Sequence, residues 1–137
     1  MVKVSIAQGL SKSGVAHRYA QNLAEHISLG RQFWCFGSHG GFERNYEAMS
    51  ANIRKIHLLI DGDKPWHPDA PLSERTSNNY LVYAKHFYRE EHLQLLAIIS
   101  PNAHQVIDDL LPGLVDLAEQ FIELSDEELA LLKTYQA

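Results

Sequence analysis

The chain holds one cysteine, Cys35, in 137 residues. No internal disulfide can form and no cysteine-built zinc site can be assembled, a usage that fits a reducing compartment. Cys35 sits between Trp34 and Phe36 and reads as packing rather than as a thiol catalyst. No apolar run approaches the length that spans a bilayer, and Met1-Val-Lys-Val-Ser-Ile6 lacks the basic-then-apolar layout of a secretory leader. A cytoplasmic protein without a membrane partner is expected. Cationic charge is scarce as well: the formal net charge is -5 at pH 7, which argues against a protein that grips nucleic acid unaided. The shortage is local. From Asp108 to Glu128 there are eight acidic residues and no basic one, whereas Met1 to Ile107 carries eleven basic against nine acidic. Two familiar chemistries are missing too. Gly37-Ser-His-Gly-Gly41 lacks the lysine of a phosphate-cradling loop, and there is no Gly-x-Ser-x-Gly elbow.

What is present is enough apolar residue, 45%, for one packed core, so residues 1–137 are expected to form a single domain. Val2, Val4 and Ile6 alternate with polar residues as in a half-buried strand. Ser11 or Ser13 offers an N-cap for a helix whose apolar positions run from Val15 to Ile27, with Gly30 as its stop. His17 and His26 fall on that helix and read as surface residues. Phe33 to Phe42, broken by three glycines, reads as a loop folded onto the core, and an exposed cluster there would suit self-association. Residues 46–49 suggest a short helix.

Arg54 to Ile60 reads as a strand ended by the Asp61-Gly62 turn. The stretch to Asn79 contains Pro65, Pro68 and Pro71 and predicts a long surface loop, a length that is often functional. Tyr80–Lys85 and Leu93–Ile99 then read as a hairpin. After Ser100-Pro-Asn102 comes a helical pattern that Pro112 either kinks or divides, and Ser125 with Glu128 makes a capping box before a terminal helix, so 125–137 is expected to be a C-terminal helical extension. One helix, a meander of strands and then helices predict an α+β domain with a small antiparallel sheet.

Eight histidines invite a metal reading, but no pair stands at converging ligand spacing with a carboxylate nearby, so neither metal nor other cofactor is expected. The residue types suit metal-free RNA cleavage, in which a base takes the 2′-hydroxyl proton, a cation steadies the phosphorane and an acid protonates the leaving oxygen. Arg75 opens a segment, Arg75-Thr-Ser-Asn-Asn-Tyr80, in which an arginine that pairs bidentately with phosphate precedes Thr76, Ser77 and Asn78, groups able to orient sugar or base. The plainer alternative makes Thr76 to Asn78 a turn into the strand. His57 in its strand, Tyr83 in the next and His104 in the first turn of a helix complete the catalytic candidates. Each also has a packing or capping explanation.

Taken in order, Ile56-His-Leu58, Pro65-Trp66, Pro71, Arg75-Thr76, Leu81-Val-Tyr83, Leu95-Leu-Ala-Ile-Ile99, Pro101-x-x-His104 and Ala118-Glu119-x-Phe121 resemble the YafO toxin family. The N-terminal half matches more loosely, and residues after Leu124 extend beyond the pattern. The resemblance implies a toxin of a type II toxin-antitoxin pair, an endoribonuclease that cleaves mRNA on the ribosome and is neutralised by a small cognate antitoxin. It also implies an architecture related to RelE-like ribonucleases. His57, Arg75, Thr76, Tyr83 and His104 are the matching positions. The alternative is a non-enzymatic protein that binds the ribosome or a partner.

Overall fold

The computed structural model describes residues 1–137. Its centre is an open six-stranded sheet. In chain order the strands are β1 (Lys3–Ile6), β2 (Phe36–Gly41), β3 (Ile53–Leu58), β4 (Tyr80–Lys85), β5 (His92–Ile99) and β6 (Tyr135–Gln136), and they lie side by side as β2-β3-β4-β5-β1-β6. The helices are α1 (Gly14–Leu29), α2 (Tyr46–Ser50), α3 (Ala103–Ile122) and α4 (Asp126–Leu131). The fold is α+β and the sheet mostly antiparallel, with one exception. β1 runs parallel to β5, because α1 carries the chain from β1 to the far edge at β2 and the meander back from β2 ends with β5 beside β1.

Strand parity divides the sheet into two chemically different faces. Ile53, Lys55 and His57 stand opposite Ala84, Val82 and Tyr80, and these positions share the face covered by α3, where Phe42, Leu96, Leu114 and Phe121 are buried. Arg54, Ile56 and the residues opposite them, Tyr83 and Leu81, point to the other face, where Ala16, Ala20 and Leu23 of α1 pack with Phe36 and Leu58. Each helix therefore closes one core.

Most boundaries follow their local signals. Ser13 accepts the Ala16 N–H at the start of α1, and Gly30 ends that helix in the left-handed region at φ 67°. The capping box of α4 is complete, with Ser125 and Glu128 each accepting the other's backbone N–H. Pro112 neither ends nor divides α3, which runs as one helix. Its ring lies on the exposed side, where water can meet the carbonyl its missing N–H leaves free.

Three expectations are corrected. Phe36–Gly41 is an edge strand rather than a loop, and of the aromatic residues from Phe33 to Phe42 only Trp34 is largely exposed, at 66%. Gly37 is what allows the following loop to settle on that strand: a Cβ there would stand 2.2 Å from the Arg75 carbonyl oxygen and 2.7 Å from the Trp66 ring. His26 is buried rather than exposed, because β2 returns alongside α1 and brings His39 against it, and His17 bonds the Ser11 carbonyl and the Tyr135 hydroxyl. Finally, residues after α4 add β6, antiparallel to β1 at Lys3 and Val4, so the tail is helix and strand. No helix is long and apolar enough to cross a membrane.

Candidate functional site

On the α3 face, at the end of β3 and the start of β4, four of the sequence candidates meet. His57 lies directly opposite Tyr80 in the strand register, with the rings edge to face at 5.1 Å between centroids. The Tyr80 hydroxyl is 3.4 Å from Nδ1 of His104, in the first turn of α3. Ser77 supplies the third element: its backbone N and O both lie 2.9 Å from Nδ1 of His57. Whichever tautomer the ring adopts, Nδ1 is engaged by Ser77, so Nε2 is the nitrogen left for a substrate. Lys55, two residues before His57 on the same strand face, places its ammonium 4.5 Å from the Tyr80 ring centroid and 5.0 Å from that of Phe42.

Asn78 builds the other wall. Its carbonyl accepts the Ala103 N–H at 3.0 Å, its side-chain oxygen accepts the His104 N–H at 2.7 Å, and its amide donates to Gln105 at 2.8 Å. It does the capping that Asn102, left-handed at φ 62° and without a side-chain bond, leaves undone. Asn78 thereby satisfies the first two amides of α3, the Asn102 carbonyl accepts the next two, from Gln105 and Val106, and Asn78 fixes where His104 stands. Asn79 adds rigidity: it is buried and donates to the Leu58 carbonyl and to Asp63, while the Ser100 hydroxyl donates to it at 2.6 Å.

The electrostatics favour a neutral imidazole. The His57 pKa is lowered, chiefly by burial and further by the charges of Lys55 and His104, against a hydrogen bond to Ser77 that acts the other way. Burial also lowers the pKa of Lys55, with Glu43 opposing, and raises that of Tyr80. A neutral histidine, a cation and a tyrosine hydroxyl on one half-buried patch can accept a proton, steady an anionic oxygen and pass a hydrogen bond to a second histidine. No group of three or more His, Cys, Asp or Glu side chains converges as a metal set.

The remaining candidates lie apart. Arg75 staples the loop: its Nε donates to the Ala70 carbonyl at 3.0 Å, its Nη2 to the Pro68 carbonyl at 3.2 Å, and its own carbonyl accepts the Ser38 N–H. The Thr76 carbonyl receives the Trp66 indole N–H at 2.8 Å, while its side chain is exposed beside a polar hollow of about 470 Å³ that borders Ser77 and Asn78. Tyr83 is buried on the opposite face of the sheet, beside Arg54, where burial raises its pKa. Its hydroxyl and the His57 ring are separated by the sheet itself. Sequence reasoning missed Lys55 and Tyr80 as site residues. The signal for Lys55 was its parity with His57; Tyr80 needed the β3–β4 register.

A larger cleft, about 1040 Å³, opens elsewhere, between the end of β1 and the C-terminal half of α3. Its lining mixes apolar and polar residues and holds a histidine-tyrosine-lysine set of its own: His17 Nδ1 bonds the Tyr135 hydroxyl, and the Lys133 ammonium stands 5.4 Å from the Tyr135 ring centroid. There both ring nitrogens of His17 are taken, Nδ1 by Tyr135 and Nε2 by the Ser11 carbonyl at 2.7 Å, whereas Nε2 of His57 has no protein partner, which makes the cluster at His57 the better candidate.

Comparisons with known proteins agree with the residue pattern. The model of a family described as Toxin YafO, type II toxin-antitoxin system, matches residues 18–123. A comparison with curated proteins and another with solved structures found no match.

Proposed function

Because the chain belongs to the YafO toxin family of type II toxin-antitoxin systems, a membership that implies a cognate antitoxin, we propose that its toxic activity is metal-independent endoribonucleolytic cleavage of mRNA on the ribosome. The observation that carries this reading is the convergence of His57, Tyr80, His104 and Lys55 on one face of the sheet. His57, neutral at physiological pH and free at Nε2, takes the 2′-hydroxyl proton. The 2′-oxygen then attacks the adjacent phosphorus, and the Lys55 ammonium steadies the charge that builds on the phosphorane oxygens. His104, in its protonated form, gives a proton to the departing 5′-oxygen. The products are a 2′,3′-cyclic phosphate and a 5′-hydroxyl, with no water consumed in this step.

Arg75 and Asn78 act in this scheme through position: Arg75 holds the loop that presents Ser77 to His57, and Asn78 holds the helix start that presents His104. The net charge of -5 supports delivery of substrate by the ribosome, since a strongly basic surface is the usual means of holding RNA alone. The test is primer extension on a defined mRNA in reconstituted translation, with and without ribosomes, comparing the chain with His57→Ala and His104→Ala. Ribosome-dependent cuts that both variants lose are expected. Arrested translation with intact message would instead identify a non-enzymatic ribosome binder, and undiminished cutting by both variants would move the chemistry away from this cluster.

A further inference from the structure

The surface of α3 and the residues just past its end carry a pattern that the core uses only in part, Leu117 and Leu124 packing against it on one side. Val106, Leu110, Gly113, Leu117, Gln120 and Leu124 follow one another at alternating steps of four and three residues, the spacing of a helix seam. This stripe faces outward. Val106 and Leu110 are 36% and 43% exposed, Leu117 and Leu124 are half-buried, and a Cβ at Gly113 would meet nothing within 4 Å. Over about 24 Å of helix the stripe runs from within a turn of His104 to the end of α3 at Ile122, and Leu124 just beyond carries it into the 1040 Å³ cleft, whose lining includes Leu117, Gln120 and Leu124.

Beside the stripe runs a second row at the same period. Asp109, Asp116 and Glu123 are seven residues apart and all exposed, and none takes part in an ion pair. In helix pairing, charges flanking the seam select the partner. Nothing basic lies between Asp108 and Glu128, and no Lys or Arg from elsewhere in the chain pairs with this row, which leaves it open to a basic partner. A second copy is a poor complement. Packed antiparallel across a two-fold axis, the two stripes would set one acidic row against the other, which costs free energy.

We propose that this stripe is the docking surface for an amphipathic helix of the cognate antitoxin, one that lays apolar side chains along Val106 to Leu124 and Lys or Arg side chains along Asp109, Asp116 and Glu123. The dip at Gly113 admits a bulky apolar side chain at the middle of the seam. The bound helix ends beside His104, which brings the antitoxin to the edge of the cluster without requiring it to fill the site. The inference rests on membership of a toxin-antitoxin family and is independent of which reaction the toxin performs.

The antitoxin for the test is the protein, selected from a genomic library of the source organism, whose co-expression relieves the growth arrest this chain causes. Purified, it is titrated against the full-length chain and against Asp109→Lys/Asp116→Lys/Glu123→Lys, with Leu110→Gln as a second, single-site variant at an exposed position. Both variants are expected to arrest growth and to melt like the parent. The triple variant should bind the antitoxin on the order of tenfold or more weakly and escape rescue, and raised salt should weaken the parent complex more than the triple variant's. Unchanged affinity in both variants would overturn the proposal, as would tight binding that is lost only on Lys55→Ala or His57→Ala, which would place the antitoxin over the cluster. A free chain found dimeric by ultracentrifugation and made monomeric by Leu110→Gln would also overturn it, assigning the stripe to a second copy. Because binding and growth rescue are read without measuring RNA cleavage, failure here is distinguishable from failure of the ribonuclease reading.

Discussion

The two faces of the sheet are built from nearly the same alphabet and do different things with it. On the α3 face, half-buried His57 and Lys55 and exposed His104 meet around the buried ring of Tyr80, at a rim that solvent reaches through His104. On the α1 face, His26, His39, Tyr83 and Arg54 supply the same kinds of group, but His26 and Tyr83 are buried, the two histidines bond each other, Tyr83 lies beside Arg54, and of the four only Arg54 is exposed. The His26 Nδ1–H donates to the Arg31 carbonyl at 2.7 Å, and its Nε2 lies 2.8 Å from Nε2 of His39. What separates the two arrangements is therefore the parity of the residue along its strand and the point at which the covering helix begins. α3 begins level with the cluster, at Ala103, and so leaves it open at one side.

The strongest way to break this comparison is to remove one group from each face. His57→Ala should lower the rate of mRNA cleavage by about a hundredfold or more, the usual scale for losing a general base. Tyr83→Phe should leave it within about twofold, since a hydroxyl on the far face is removed with the packing conserved. Primer extension reads both. A large loss in the Tyr83 variant would mean that the faces are coupled.

Gly37→Ala tests the loop that links the faces. The new methyl would run into the Arg75 carbonyl and the Trp66 ring, and the chain should lose about 2 kcal/mol of stability, the usual cost of overpacking, read as a lower denaturation midpoint. Cleavage should fall as well, because the same loop carries Ser77 to His57. Asn78→Ala is milder. It removes the side-chain cap of α3 and should cost about 1 kcal/mol, while slowing turnover more than it weakens binding, since His104 loses its fixed position. Equal losses in kcat and KM terms would argue for direct substrate contact by Asn78 instead.

How much of this was legible in the sequence depends on whether the determinant was local. The boundaries of α1 and α4 follow from Ser13, Gly30 and the Ser125–Glu128 box, each acting within a turn of its own position. His57, Ser77, Asn78 and His104, which the fold brings together, could be named as candidates because each sits at a recognisable place in a strand, a turn or a first helical turn. Tyr83 was chosen over Tyr80 because both lie in one strand, and only the pairing His57 to Tyr80, set across a loop of about twenty residues, says which of them shares the face. Arg75 looked like a phosphate ligand for a similar reason. That its guanidinium would be occupied by the carbonyls of Pro68 and Ala70 depends on how the proline-containing loop folds back. The parallel placement of β1 and the short β6 likewise rest on long-range pairing that no local pattern announces.

The subtlest separation of the faces is by pH, because each holds a histidine whose pKa is lowered by burial. On the open face the consequence is catalytic. His57 works as a base only when neutral, and a pKa below the ordinary 6.5 means that cleavage should persist as pH falls through 6.5 and decline only on further acidification. On the closed face the consequence is stability. His39 is pushed down to about 4, first by burial and then by the neighbouring charges of His26 and Arg54. The folded chain thus binds fewer protons than the unfolded one between those values, so the stabilisation is fully present above 6.5 and is lost progressively as pH falls toward 4. The ring is only half-buried, and screening by solvent should hold the effect below about 1 kcal/mol. His39→Gln should accordingly flatten the dependence of Tm on pH across that window while leaving the acid limb of the cleavage profile in place, and His57→Gln should abolish cleavage and leave the stability profile close to the parent's. A single substitution that shifted both profiles together would show that the sheet transmits charge between its faces, and the division drawn from strand parity would then be one of packing alone.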